Sequence, residues 1–263
     1  MKKLLIVLIC LPLFGLTQNI TDSLLLYYPL NGNVIDLSGN NFHGTPSGVT
    51  SVPDRYGVPN SAYHFDGVND YIDLPLNDTL KPQFPVTFAF WAKINNPSIA
   101  KGEFFTLDFT QNNQSGLYMN VNSQGSIGLA YGGGLGGFGP ANRTTFRTNE
   151  IMVDSSSWYH ITGIVYSESN MDIYINCNNA NAIYHSGTAP TVGYSANISG
   201  TIGRKDALIG GSAYYYLGYL DEFSFWERAL SSAEIYTLCD SLPLINSTQS
   251  WDCVNGACVD PGN

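Results

Sequence analysis

The chain has 263 residues, 44% hydrophobic and 12% charged, with a formal charge of −10 from 11 Lys and Arg against 21 Asp and Glu. That composition suits a globular chain with room for one β-domain of roughly 200 residues. It excludes capture of nucleic acid through its phosphates, which needs clustered Lys and Arg, and it leaves carboxylates to spare for a divalent cation.

Residues 1–17 read as a secretory signal peptide: Lys2 and Lys3 precede an apolar run from Leu4 to Phe14 and a short segment of smaller residues ending at Thr17. The run is shorter than the about 20 residues that span a bilayer, and no later segment offers a membrane span. The mature chain is therefore expected outside the cell or on its surface, and Cys10 leaves with the leader. Cys177, Cys239, Cys253 and Cys258 remain, an even number in an oxidising compartment, so disulfides are expected, with the pairing open.

Helical periodicity is nearly absent, and about a dozen short strands are expected between Gly, Asn, Asp, Ser and Pro clusters. Ala62 to Phe65 and Tyr71 to Leu74 flank the turn Asp66-Gly67-Val68-Asn69-Asp70, which predicts a hairpin. Val86 to Ile94 alternates, placing Val86, Phe88, Phe90, Ala92 and Ile94 on one core face. Further strands are expected at 104–109, 117–121, 127–131, 158–166, 172–176, 183–185, 198–202 and 217–226. The only helix follows: Ser231 caps it and Glu234 reaches back. The expected layout is a domain over 18–240, then a linker and an unfinished cysteine-containing segment over 241–263.

Three stretches resemble the laminin-G-like family of bacterial surface proteins. They are Tyr28-Pro29-Leu30-Asn31-Gly32-Asn33 running on to His43-Gly44, Ser61 to Ile72 with its Phe65-Asp66-Gly67 core, and Gly218-Tyr219-Leu220-Asp221-Glu222-Phe223 followed by Trp226 and Arg228 to Ile235. The resemblance spans roughly 24–240. It implies an all-β fold, a two-sheet antiparallel jelly-roll sandwich of concanavalin A-like type with one short C-terminal helix, used in adhesion or glycan recognition and often holding a structural calcium. Asp36, Asn41, Asp221 and the carbonyls near His43 and Gly44 would suit such a calcium if the loop after the first strand met the end of the last. The plainer reading makes Asp36 and Asn41 turn residues and bonds Asp221 to a backbone amide.

No paired carboxylates suited to glycoside hydrolysis are visible. Glu103 and Asp108 fall on opposite faces of one strand, and Asp221 and Glu222 are adjacent and so point apart. The histidines are scattered, Gly-x-Ser-x-Gly is missing, and the glycine run from Tyr131 to Gly139 has no Lys-Ser/Thr to close a phosphate loop. Aromatic platforms with nearby donors are candidate sugar contacts, namely Tyr131 and Phe138 beside the glycine run, Tyr214, Tyr215 and Tyr216 before the last strand, and Arg143, with Arg147 as a second donor. The expected function is a secreted binding or adhesion module for carbohydrate or a cell-surface protein, with calcium as its cofactor and no catalytic residues. The alternatives are a carbohydrate-binding unit of a larger secreted glycoside hydrolase, or a glycosidase itself.

Overall fold

The computed structural model describes residues 19–95, 102–108, 114–134, 136, 139–149, 156–195, 197–205 and 214–240, and the backbone of 252–254 and 257–259. The signal peptide and Phe138 lie outside the described residues.

The strands in chain order are β1 (Leu24–Tyr28), β2 (Thr45–Ser47), β3 (Thr50–Val52), β4 (Ala62–Asp66), β5 (Tyr71–Asp73), β6 (Val86–Ile94), β7 (Gly102–Thr106), β8 (Ser115–Val121) and β9 (Ile127–Gly133). They continue with β10 (Arg143–Arg147), β11 (Tyr159–Ser167), β12 (Asn170–Ile175), β13 (Asn178–Asn179), β14 (Ile183–Gly187), β15 (Thr201–Ile202), β16 (Arg204–Lys205), β17 (Tyr214–Tyr215) and β18 (Leu217–Trp226). The helix α1 (Ser232–Asp240) and the pair β19 (Asp252–Val254) and β20 (Ala257–Val259) follow.

These strands build the expected two antiparallel sheets. The front sheet runs β13-β12-β11-β6-β18-β4-β3, with β1 also on β18, and the back sheet runs β14-β10-β9-β8-β7-β15-β5-β2. One edge of β18 is shared: Leu217–Leu220 pair with β4, and Phe223–Trp226 pair with β1. The first and last strands of the sandwich, β1 and β18, are thus neighbours. Between the two partners β18 bulges, and Glu222 takes a φ of 52°.

The period of two in β6 sorts its side chains as expected. Val86, Phe88, Phe90, Ala92 and Ile94 all enter the core between the sheets. There Phe88 stacks on Phe225 at 4.3 Å, and Phe90 lies 5.0 Å from Phe104 and 5.9 Å from Phe223. Each such ring removes about 150–250 Å² from water, which makes this aromatic layer the main cohesive element between the sheets.

A second apolar cluster lies outside the front sheet, where Ile235 and Leu238 of α1 cover Leu24, Ala89, Ile164 and Trp226. The helix starts as predicted: Ser231 N–H donates to Glu234 Oε2 at 2.7 Å, and Glu234 N–H to Ser231 Oγ at 3.3 Å.

The segment from Asp66 to Asp70 is not the turn of a hairpin. Asp66 Oδ1 accepts from the N–H groups of Val68 and Asn69, and Gly67 adopts a φ of 76°, so the turn chemistry is as expected. Yet β4 belongs to the front sheet and β5 to the back. The turn is a corner that carries the chain across the sandwich.

Candidate functional site

Asp36 sits in the loop after β1, and its carboxylate is fully used. Oδ1 accepts from the N–H groups of Tyr27 and Ser38 at 3.0 and 2.9 Å, and Oδ2 accepts from Ser38 Oγ and Phe42 N–H, both at 2.9 Å. These donors fill the roughly four acceptor positions of a carboxylate. His43 Nδ1 accepts from Asp36 N–H, Gly44 N–H donates to Val34 O, and Asn41 supplies a left-handed turn with a φ of 60°. The loop is tied to β1 by protein hydrogen bonds.

Asp221 lies at the bulge inside β18, not at the strand's end. The bulge also breaks the alternation expected there, so Asp221 and Glu222 turn to one partner: Arg55 donates to Asp221 Oδ2 at 3.0 Å and to Glu222 Oε1 at 3.1 Å. The guanidinium lies between the rings of Tyr56 and Trp91, 4.5 and 4.3 Å from their centroids, with its side chain 5% exposed. Burial, then the adjacent Glu222, raises the Asp221 carboxyl well above the ordinary range, and Arg55 pulls it part of the way back. The calcium expected between Asp36 and Asp221 meets two obstacles: the Asp36 carboxylate is saturated by protein donors, and Asp221 Oδ2 is already paired with a resident cation, Arg55, although Asp221 Oδ1 is buried without a protein partner. The described residues contain no cluster of three or more His, Cys, Asp or Glu able to hold a metal.

The predicted sugar contacts divide. Tyr131 is wholly buried in the core, and its hydroxyl donates to the carbonyls of Glu168 and Ala189, so it has no surface to offer. Tyr215 is half-buried on β17, whereas its neighbour Tyr214, on the opposite side of that strand, is exposed and lines a cavity. Arg143 lines the same cavity.

That cavity is part of a trough on the outer face of the back sheet. In β9, Ile127, Leu129 and Tyr131 point into the core, which leaves Gly128, Ala130 and Gly132 as a low outer floor. A Cβ at Gly128 would lie 2.5 Å from Arg147 Nη2, so only glycine lets that guanidinium lie across the sheet. Arg147 is held there by Ser126 O at 2.9 Å and Asn120 Oδ1 at 2.7 Å.

Two depressions meet at Asn122, which lines both. One of about 710 Å³ has Arg147, Ile183, Tyr184 and His185 in its walls, and one of about 320 Å³ has Glu103, Gln114, Arg143, Lys205 and Tyr214. Lys205 pairs with Glu103 at 3.2 Å and lies 4.4 Å from the centre of the Tyr118 ring. Burial alone would lower the Lys205 ammonium, but Glu103 and Tyr118 more than offset it and hold the group above the ordinary lysine value.

Three residues that line the smaller cavity each carry a buried polar atom without a protein partner: Glu103 Oε2, Gln114 Oε1 and Arg143 Nε. Leaving such an atom unpaired costs about 1–3 kcal/mol, and here two acceptors and a donor belong to residues lining one cavity. Sequence reasoning found Arg143 and Arg147 but missed Glu103, Gln114, Lys205 and Tyr184. The small residues alternating with large ones at 127–132 were the available signal.

Cys177, at the tip between β12 and β13, and Cys239, in the last turn of α1, have sulfurs 2.31 Å and Cα atoms 5.8 Å apart. The backbone pairing of β19 with β20 sets Cys253 opposite Cys258.

Comparison with known proteins matches residues 66–236 to a family model described as the concanavalin A-like lectin/glucanases superfamily. No curated protein matches the sequence. Similar solved structures are binding domains of botulinum neurotoxins. One, of type C, is described as entering cells through interaction with two ganglioside molecules; it is 16% identical with a TM-score of 0.61, over 88% of this chain and 54% of that one. The DC binding domain in complex with rat synaptotagmin II is 16% identical with a TM-score of 0.61, over 84% and 52%. The same domain in complex with SialylT is 18% identical with a TM-score of 0.60, also over 84% and 52%. The chain spans about half the length of these structures, and at this identity the likeness shows the fold.

Proposed function

Because the chain belongs to the concanavalin A-like lectin/glucanases superfamily, we propose that it is an exported binding module which takes carbohydrate into the trough of the back sheet. The observation that carries this reading is the smaller cavity, where two acceptors and a donor lack protein partners. Sugars present hydroxyls that both donate and accept, together with C–H faces that settle on aromatic rings. Tyr184 and Tyr214, 54% and 39% exposed, stand in the walls of the two depressions and supply such rings.

The ganglioside, SialylT and synaptotagmin ligands of the neighbouring structures lend support to a surface-recognition role. Half of each neighbour is unmatched, so those ligands are not assigned to this half. Export rests on the leader of residues 1–17, and a Cys177–Cys239 bridge would suit the oxidising compartment that export implies.

The trough favours binding over hydrolysis. A retaining glycosidase needs two carboxylates about 5–5.5 Å apart across the bond, and Glu103 is the single carboxylate among the described lining residues. Asp221 and Glu222 do converge, but around a buried arginine.

A glycan array probed with the full chain tests the proposal. Binding to a defined set of glycans, lost in Tyr184→Ala or Tyr214→Ala while the melting temperature holds, is the expected result. Binding that both variants retain would remove the trough as the site.

A further inference from the structure

The chain is strongly acidic, yet the trough is basic. Arg143, Arg147 and Lys205 line it against one carboxylate, Glu103, in a protein whose net charge is −10. No run of basic residues announces this in the sequence, because folding brings β10 beside β9 and places Lys205 over Tyr118.

The three cations are not equally occupied. Lys205 is paired with Glu103, and Arg147 is spent on Ser126 and Asn120. Arg143 is different. Among the described residues its guanidinium forms no hydrogen bond or ion pair, and Nε is buried without a partner. It stands half-buried in the wall of the smaller cavity, where water is partly excluded and a charge-assisted bond gains strength.

A guanidinium matches a carboxylate through two parallel N–H···O bonds. In the same lining, Glu103 Oε2 and Gln114 Oε1 are acceptors without protein partners, which a turn of either side chain would present to hydroxyl donors. We infer that the smaller cavity takes an acidic sugar, with Arg143 holding its carboxylate while Glu103 and Gln114 accept from its hydroxyls. The pairing of Glu103 with Lys205 keeps that carboxylate from repelling the ligand. This inference rests on the carbohydrate-binding reading above and narrows it to sugars that carry a carboxylate, whether a uronic acid or a sialic acid.

The test is calorimetric titration of the full chain with two acidic probes, trigalacturonic acid and 3′-sialyllactose, each beside its uncharged counterpart, carboxyl-reduced trigalacturonic acid and lactose. At least one acidic probe should bind roughly tenfold tighter than its counterpart. That preference should shrink as salt rises from about 50 to about 300 mM. Arg143→Gln should abolish the preference at an unchanged melting temperature, and Arg143→Lys should restore part of it. Which acidic probe binds separates the two sources of the carboxylate.

Equal affinity for acidic and neutral probes would overturn the acidic-sugar inference and leave carbohydrate binding standing. No binding of any of the four would sink both. An acidic preference undiminished in Arg143→Gln would overturn the assignment of Arg143.

Discussion

The two outer faces of the sandwich each carry a partly buried arginine, and the two differ in what surrounds them. On the front sheet, Arg55 is enclosed by Asp221 and Glu222 and covered by Tyr56 and Trp91. On the back sheet, Arg143 faces a cavity with no carboxylate bound to it. The front arginine is structural, because removing it would strand two buried acids. The back arginine contributes little to the fold and is free to meet a ligand. Burial and pairing, not residue type, separate the roles.

The largest effect should come from breaking the front clamp. Arg55→Met leaves two buried carboxylates without their cation and should cost about 3–5 kcal/mol in denaturant unfolding. Arg143→Met should shift stability by less than about 0.5 kcal/mol. Equal losses in the two variants would erase the distinction between the faces.

The next effect is in the pH dependence of the front side. His160, packed against Trp91, has its imidazole pushed down to about 3 by burial and then by the charge of Arg55. Between that value and the ordinary 6.5 the unfolded chain binds the extra proton, so this group's contribution falls as the solution is acidified, by about 1.6 kcal/mol from pH 6.5 to pH 5. Asp221 and Glu222 act in the opposite sense. Their raised carboxyls give stability that is fully present below the ordinary carboxylate range and is lost as pH rises from there through the raised values, about 8 for Asp221. The two windows overlap, so His160→Gln should remove this acid limb and leave a net decline in melting temperature from the ordinary carboxylate range up to about pH 8. An unchanged acid limb would assign that limb to another group.

A smaller effect is expected at the floor of the trough. Gly128→Ala places a methyl against Arg147 and Asn120 and should cost about 1 kcal/mol as those side chains move aside. Glycan affinity should drop severalfold with it, and an unaltered affinity would detach Arg147 from the site. The smallest effect is a null one: calcium added to chelator-treated protein should leave the melting temperature unchanged, since Asp36 is saturated by protein donors and Arg55 already sits as the cation on Asp221. A rise would reinstate the metal.

Much of the frame was legible because it depends on local periodicity. The alternation of Val86 to Ile94 and the exchange between Ser231 and Glu234 depend only on neighbours along the chain. Tertiary choices were not legible. Asp66 and Gly67 specify a turn, but not whether the chain returns to its own sheet or crosses to the other. A period of two sends Asp221 and Glu222 apart, and one bulge reunites them on an arginine 166 positions earlier than Asp221. Tyr214 and Tyr215 differ by one step on a strand, and that step decides which of them reaches the cavity. The strand β10 is hidden in the sequence because Arg143-Thr144-Thr145-Phe146-Arg147 has almost no apolar signal, its outward positions being given to polar groups.

The placement of β1 and α1 bears on how the protein would be displayed. Both belong to the front side, where Trp226 Nε1 donates to Ile20 O and Arg228 Nε to Asp22 O, locking entry and exit of the described domain together. A tether attached at either point would pull on the front sheet and leave the trough on the far side, directed outward. Mechanical load would then pass through the pairing of β1 with β18, and the back sheet with its trough would stay outside the path of the force.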